Sequence, residues 1–524
     1  MANDSFSVED PIRTEGKRKT KKNGRGLFVA ALAVFSLSFS VLCVAFVYLD
    51  SKGIIPKELF GKILIGAAAF ILFEVLLLLL SERKKLFAVI SILICLAVIS
   101  ASVYGIYVLY KVYESMQEVE DPKVYFAHVG VYVIQGSRFS PYMSQPEDGT
   151  EPILMPGDSL DGCTVGTMLT NYDRGYSSQA MRLFRRENDV DVRTYDEFGD
   201  LIDALRNGEI DAIIYNQAQM RLYLGNETDF FQWAEEVYDI GVETENTAQV
   251  RKADVVSEPF IVYLSGLDTW DMDEFFRDSR SDANLLACVD PVNKKILIVN
   301  TPRDYYVPLF GRSYAMDKLT HAGVYDIDGS LSTLESFYDI KINYYVRTNV
   351  FSLVKIVDAL GGITVNSDHE FYAANGIGGF HQFYEGPNEV DGQGALCFIR
   401  ERQSFDDNDR SRGRHQQECI RAIIEKACSP AIVAHFSNVL DAVTSCVRTN
   451  MGKEEINALV RMQLSDMASW SIEMYAVDGE DYYAPSYALG GREVYVVKPD
   501  YDTVEEAKQK ITELMGQKSE TRTD

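Results

Sequence analysis

The chain has 524 residues, with 51 Lys+Arg against 77 Asp+Glu and a formal net charge of −26 at pH 7. Its length allows two or three domains, and its 47% apolar content excludes a disordered polymer. Residues 1–120 hold 14 basic against 11 acidic residues, leaving 37 against 66 (−29) for the remainder, which argues against nucleic acid as a partner because phosphate backbones need basic surfaces.

Residues 1–25 form a polar tail with Arg13, Lys17, Arg18, Lys19, Lys21, Lys22 and Arg25. Residues 26–110 are dominated by three apolar runs, Leu27–Leu49, Ile63–Leu80 and Leu86–Tyr110. At 1.5 Å per residue each is long enough to cross a hydrocarbon core of about 30 Å. The first run starts too deep and is too long for a signal peptide, and two more follow it. The basic tail and the loop Arg83-Lys84-Lys85 mark the cytoplasmic side. In the first loop Lys52 and Lys57 are balanced by Asp50 and Glu58, so it faces out, as does everything after Tyr110. The expected protein is therefore multi-pass, with a cytoplasmic N-terminus and a large extracellular part. Glu74 lies within the second span. It is expected to be a protonated carboxyl bonded to a neighbouring helix, with no other polar group beside it.

After a charged connector at 111–122, strand and helix patterns alternate over 123–250. Val124–Ile134, Cys163–Leu169, Val190–Thr194 and Ile210–Tyr215 read as strands, and Ser177–Glu187 and Phe198–Asn207 as helices. Strand–helix–strand order implies a parallel sheet. The runs Leu160-Asp161-Gly162-Cys163-Thr164-Val165-Gly166, Thr194-Tyr195-Asp196 and Ala204 to Ile214 resemble a lobe of extracellular solute-binding proteins. The stretch is too short for two lobes and shows no clear ligand-fixing Arg. A small-solute domain and a spacer or interaction module both fit.

Residues 251–258 read as a polar linker, 258–515 as a second α/β domain and 516–524 as a polar tail. Phe260–Leu264, Asn284–Val289, Ile296–Asn300, Ile363–Val365 and Ala395–Arg400 are strand candidates. Val350–Leu360, Gln417–Cys428 and Lys453–Asp466 have helical spacing. Of the six cysteines after the spans, Cys163, Cys288, Cys397, Cys419, Cys428 and Cys446, none has metal-ligand spacing. Cys288 and Cys397 sit in strand-like apolar runs and are expected to be buried thiols. Pairing of Cys428 with Cys446 is left open.

Four charged clusters mark the second domain. Asp278-Ser279-Arg280-Ser281-Asp282 precedes one strand, and Asn300-Thr301-Pro302-Arg303-Asp304 follows the next. A hairpin between them brings Asp282 and Asp304 toward one site, and paired hard oxygens suit Mg²⁺ held together with substrate phosphates. Arg400-Glu401-Arg402 is the third cluster, and in a strand its arginines share a face. The fourth, Asp409-Arg410-Ser411-Arg412-Gly413-Arg414-His415-Gln416-Gln417, leads into a helix, whose N-terminus favours anions. Arg forks match phosphate oxygens. In so acidic an exterior, the clustering points to a phosphate site; as a module without a ligand, the domain would instead pair these arginines with Glu401, Asp407 and Asp409.

Together with Gly266-Leu267-Asp268, Lys318-Leu319 and Val357-Asp358-Ala359-Leu360-Gly361-Gly362-Ile363, these clusters resemble the LytR–CpsA–Psr (LCP) family of bacterial cell-envelope enzymes. The resemblance covers about 258–428 and more loosely runs to 515. It implies an α/β domain with a central mixed sheet flanked by helices, set beside the transmembrane helices and the small solute-binding-like domain. It implies an apolar pocket for a polyprenyl chain with an arginine-lined mouth, in a phosphotransferase that moves a glycopolymer from a polyprenyl-diphosphate carrier to peptidoglycan. The lipid bilayer, the carrier-linked glycopolymer and peptidoglycan are then its partners. Carried over by position, Asp282 and Asp304 hold Mg²⁺. Arg280, Arg303, Arg400, Arg402 and Arg412 hold the diphosphate, assisted by Lys318 and Gln416. Arg280, Arg303 and Asp409 are the implied catalytic set, with Asp409 activating the acceptor hydroxyl. Many members have an Arg-Gln pair where this chain has His415-Gln416, so His415 is not counted among the ligands. A polyprenyl-diphosphate phosphatase using the same site and a non-enzymatic envelope sensor are the alternatives.

Overall fold

The computed structural model describes residues 16–516, apart from 53–56, 119–123, 144–153, 156, 169–174, 226–228, 246–250, 268, 270–278, 312–313, 375, 377, 403, 406–408 and 431. Asp268, Asp278 and Asp407, most of the basic tail and nearly all of the final polar tail lie outside the described residues. The chain divides into two bodies, one of residues up to 117 with 457–466, the other of 118–456 with 467–524.

In the first body the apolar runs form α1 (Gly16–Lys52), α2 (Lys57–Ser81) and α3 (Lys85–Glu118). Their stretches Gly26–Tyr48, Phe60–Ser81 and Lys85–Tyr107 have mean hydropathies of 2.5, 2.9 and 2.8 and are long enough to span a bilayer. Glu74 on α2 is buried and accepts a 2.6 Å hydrogen bond from the Ser91 hydroxyl on α3. The carboxyl thus has the helix–helix bond expected of it, and Ser91 is the polar companion that the apolar sequence did not suggest.

The second body begins with β1 (Val124–Ile134), the two-residue strands β2 (Tyr142–Met143) and β3 (Leu154–Met155), then β4 (Thr164–Met168), α4 (Tyr176–Phe184) and β5 (Asp191–Tyr195). There follow α5 (Phe198–Arg206), β6 (Ala212–Asn216), α6 (Gln217–Leu224), α7 (Phe230–Trp233) and β7 (Ala234–Glu245). The sheet order is β5-β4-β6-β1-β7. Strands β4, β5 and β6 run parallel, as their helical crossovers require. β1 is antiparallel to both β6 and β7, so the sheet is mixed rather than all parallel.

The larger α/β part opens with β8 (Phe260–Leu267), β9 (Ser281–Asp290), β10 (Lys295–Asn300), β11 (Tyr306–Pro308), β12 (Met316–Lys318), α8 (Leu319–Tyr325), α9 (Ile327–Tyr338) and β13 (Tyr344–Asn349). It continues through α10 (Val350–Ala359), β14 (Ile363–Ser367), β15 (Phe371–Ala374), β16 (Phe380–Phe383), β17 (Gly386–Val390), α11 (Gly392–Arg400), α12 (Asp409–Cys428), α13 (Ile432–Cys446) and β18 (Arg448–Thr449); α14 (Lys453–Asp466) follows in the chain, its residues 457–466 belonging to the first body. It closes with β19 (Ser471–Ala476), β20 (Gly479–Pro485), β21 (Glu493–Pro499) and α15 (Tyr501–Leu514). The central mixed sheet has the order β18-β13-β8-β9-β10-β19.

Side-chain alternation splits the core across this sheet. On one face Leu286 and Cys288 pack with Leu331 of α9 and Val504 and Ile511 of α15. On the other, Leu285, Ile296 and Ile298 meet Ile420 and Ile424 of α12. Each fully buried aliphatic side chain contributes roughly 1.5–3 kcal/mol.

Two expectations are corrected. Ala395–Arg400 is helical, not a strand: Asp391 caps α11 by accepting from the Gly394 amide at 2.8 Å, and the helix buries Ala395, Leu396, Cys397 and Phe398 together. A short apolar run does not by periodicity alone distinguish a buried strand from a buried helix. Cys397 is therefore buried in a helix, while Cys288 is buried in a strand as expected. All eight cysteines are free thiols, Cys428 and Cys446 included.

Candidate active site

The β9–β10 pairing creates the site. Leu285 lies opposite Asn300, and the Thr301 amide donates to the Asn284 carbonyl at 2.9 Å. The start of β9 and the segment after β10 therefore emerge at one end of the sheet. Asp282 arrives from the first, and Arg303 and Asp304 from the second. The Thr320 amide donates to the Arg303 carbonyl at 2.8 Å, adding Lys318 and Thr320 from the β12–α8 junction.

These side chains form a continuous ionic network. Arg303 donates through Nη1 to Asp282 Oδ2, and its Nε lies 3.4 Å from Asp304 Oδ2. Lys318 Nζ is 2.8 Å from Asp304 Oδ1. Arg412 Nη1 lies 3.9 Å from Asp282 Oδ2, and the Thr320 hydroxyl donates to Asp282 Oδ1 at 3.2 Å. Burial pushes the Asp282 carboxyl up, but Arg303, Arg412 and Arg280 outweigh it and hold the group below the usual carboxylate range. Burial likewise raises Asp304, and Arg303 and Lys318 more than reverse it. Both carboxylates are ionised at neutral pH.

The network borders a cavity of about 1040 Å³. Leu264, Ala283, Leu285, Val350, Leu353 and Ile420 supply apolar wall, while Arg280, Asp282, Arg303, Arg400, Arg402, Arg412 and Gln416 supply its polar part. Arg400 ends α11, a favourable place for a cation against the helix dipole, and Arg402 lies two residues beyond. They share the cavity through the turn after the helix, not through strand alternation. The start of α12 is different. Arg410, Arg412 and Arg414 sit in its first turns, where the dipole disfavours cations. This placement suits an anion received at the helix start. Gln417 fixes α12 to the sheet by donating to the carbonyls of Ile298 at 3.0 Å and Tyr475 at 2.7 Å.

A second, smaller cavity of about 300 Å³ shares Asp282, Arg303, Arg412 and Gln416 with the first. Asn300, Thr301, Arg410, Arg414 and Asp478 complete it with polar groups. Of the expected site residues, all but Asp409 line one or both cavities or join the network. Asp409 is the first residue of α12, and its side chain lies outside the described residues. His415 is buried among Phe371, Phe398 and Phe405. Burial and Arg414 lower its pKa to about 4, leaving it neutral and fitting its exclusion from the ligands.

The profile of the LytR_cpsA_psr family matches residues 230–510, more than half of the chain. The chain belongs to the LytR–CpsA–Psr family. A polyisoprenyl-teichoic acid–peptidoglycan teichoic acid transferase TagU from Bacillus mycoides (strain KBAB4) is 34% identical to this LytR–CpsA–Psr member over 217 residues, 41% of this chain and 66% of that one. TagU from Enterococcus faecalis (strain ATCC 700802 / V583) is 33% identical over 205 residues, 38% of this chain and 65% of that one. The LytR–CpsA–Psr chain thus spans just under two thirds of the length of these relatives. The crystal structure of B. subtilis TagV aligns with a TM-score of 0.42 and 24% identity, covering 50% of this chain and 99% of that one.

Among the described residues of this LytR–CpsA–Psr chain, no three His, Cys, Asp or Glu side chains gather as a metal site. A divalent ion would rest on Asp282 and Asp304 and on phosphate oxygens of the ligand, a donor set that fits Mg²⁺. Asp282 Oδ1 is the better placed oxygen, since the neutral Thr320 hydroxyl is its hydrogen-bond partner. The LytR–CpsA–Psr site also contains Thr320, which the sequence did not single out, and Asn300, Arg410 and Arg414, which stand in the charged clusters but were given no ligand role. Arg410 and Arg414 were legible in the fourth cluster; Thr320 and Asn300 carried no chemical signal of their own. The wall residues Arg221 and Phe231 come from the small domain, and only tertiary packing brings them here.

Proposed function

We propose that this LytR–CpsA–Psr member is a membrane-anchored phosphotransferase that moves a glycopolymer from a polyprenyl-diphosphate carrier to peptidoglycan. The observation that carries the reading is the cavity in which five arginines, Arg280, Arg303, Arg400, Arg402 and Arg412, meet a largely aliphatic wall. An amphiphile with a diphosphate head suits both parts. The large cavity takes the carrier lipid and its diphosphate, and the smaller polar cavity behind Arg303 and Arg412 takes the acceptor sugar.

An acceptor hydroxyl oxygen forms a bond to the glycan-bearing phosphorus. The bond from that phosphorus to the bridging oxygen breaks, and polyprenyl phosphate leaves. Asp409 at the start of α12 takes the hydroxyl proton. Arg400, Arg402 and Arg412 neutralise the charge that develops on the phosphates, the main requirement of phosphoryl transfer. Arg280 and Arg303 act with them, and Lys318 and Gln416 hold the network in place. Asp282 and Asp304 would hold Mg²⁺, which supplies further charge neutralisation when bound. In this reading the N-terminus is cytoplasmic and three spans tether the site outside a bacterial cell membrane, where the carrier presents its head group.

The test is release of polyprenyl phosphate from a diphosphate-linked donor by the full-length protein, with peptidoglycan as acceptor and with Mg²⁺ present or chelated. A new glycan–peptidoglycan linkage is expected, lost in Arg400→Ala. Wild-type turnover in Arg400→Ala overturns the reading, and free glycan phosphate in place of a peptidoglycan linkage replaces it with hydrolysis.

A further inference from the structure

Helix α6 lies ahead of residues 230–510, the stretch matched by the family, and belongs to the small domain by position in the chain. Its faces divide between two cores. Met220 and Leu224 are buried in the small-domain core, where Tyr223 stacks on Phe198 with ring centroids 4.5 Å apart. Leu222 is buried in the large-domain core, with Ala218 packed against that same core. Asn216 caps the helix by accepting from the Gln219 amide at 3.0 Å. α6 is thus part of the large domain's packing as well as its own.

Ala218, Arg221, Leu222 and Gly225 stand at i, i+3, i+4 and i+7, which is one stripe of a helix. All four line the 1040 Å³ cavity, and exposed Phe231 lies with them. Arg221 is the one charged side chain on that stripe, exposed on the cavity wall. It is a cation facing the same space as the five arginines of the large domain, in an exterior whose overall charge is strongly negative.

We infer that the small domain supplies a wall of the donor site through α6, and that Arg221 contacts the anionic head group of a polyprenyl-linked diphosphate. This rests on the transferase reading above and deepens it. The small domain then acts as a specificity element for the donor, joined to the site through the burial of Leu222. Phe231 extends the apolar surface beside the head group. Arg221 is a binding residue, outside the Asp282–Arg303–Asp304 network.

The experiment measures binding of geranylgeranyl diphosphate, and of uncharged geranylgeraniol, to the full-length protein in detergent micelles. Arg221→Glu is expected to weaken diphosphate binding tenfold or more and leave the alcohol unchanged, with Arg221→Lys intermediate. Arg186→Glu, an exposed reversal elsewhere on the small domain, is expected to bind as wild type. In turnover assays Arg221→Glu raises KM with kcat within threefold. A Kd within twofold of wild type in Arg221→Glu, while Arg400→Ala loses binding, overturns the inference and leaves the transferase reading standing. Equal Kd values in wild type, Arg221→Glu and Arg400→Ala overturn both.

Discussion

Arg303 Nε lies 3.4 Å from Asp304 Oδ2, and the same guanidinium donates to Asp282. One planar cation thereby sets the spacing of the two carboxylates proposed to hold the metal. In Arg303→Ala, Asp304 keeps Lys318 at 2.8 Å and Asp282 keeps Arg412 at 3.9 Å, so neither carboxylate is stranded. The stability loss is expected to be about 1–3 kcal/mol, below that of fully orphaning a buried charge. Turnover falls about 100-fold or more. Arg303→Lys restores the charge without the fork, so it recovers stability more than turnover. Denaturant melts of the full-length protein beside donor turnover check both halves.

Acid should weaken the fold in two separate windows. The His415 pKa is lowered to about 4, first by burial and then by Arg414, against the opposing pull of Asp368 and Glu401. Between about pH 4 and 6.5 the unfolded chain binds a proton that the folded chain refuses. Stability therefore falls as pH drops through that window, by roughly 3 kcal/mol from this group. Asp282 and Asp304 are depressed, so their contribution is present above about pH 4 and is lost as pH falls through their folded values. His415→Phe, which keeps a ring among Phe371, Phe398 and Phe405, should flatten the upper window and leave the lower one. Melting temperature against pH from 3 to 8 measures this; an unchanged slope between 4 and 6.5 refutes it.

What the sequence disclosed follows from how local each feature is. The meeting of Asp282 with Arg303 and Asp304 was readable because β9 and β10 are consecutive antiparallel strands, and a short turn fixes their register. The three apolar helices were readable from length alone. The placement of Arg400 was not, because Gly392–Arg400 is a short run buried nearly all round, and such a run reads as a buried strand as readily as a helix. Its arginines reach the cavity for a different reason from the one inferred. The contribution of α6 had no sequence signature at all, since Arg221 meets the cavity only through packing of Leu222 in a core built mainly from residues after 260.

Gly413 on α12 is a close-approach glycine. A Cβ added there would run into the buried Asn300 side-chain amide at the end of β10. Relief comes from rotation of the Asn300 amide or from a shift of α12 away from the sheet, which carries Arg412 and Arg414 with it. Gly413→Ala is expected to cost about 1–3 kcal/mol as overpacking and to lower kcat/KM for the donor. Asn300→Ala removes the clashing amide, so the double variant should regain most of the stability. Non-additivity in a double-mutant cycle of melts is the measurement. Additive losses would show that the helix start does not depend on this contact.

The apolar wall should be selective for lipid length. Leu353 lines the cavity at partial exposure and packs at the edge of the core under α10–α12, so a polar replacement disturbs the wall at a modest cost in stability. Each methylene buried against such a wall contributes about 0.8 kcal/mol. Leu353→Asn should therefore raise KM for a long polyprenyl-diphosphate donor by about tenfold. A farnesyl-diphosphate donor, too short to use the whole wall, should lose less. Arg402→Ala should weaken both donors alike, because the diphosphate is common to them. The ratio of kcat/KM for long and short donors is the readout: it falls in Leu353→Asn and stays constant in Arg402→Ala. A constant ratio in both variants would mean that the aliphatic wall does not hold the lipid, and that the arginines alone determine donor affinity.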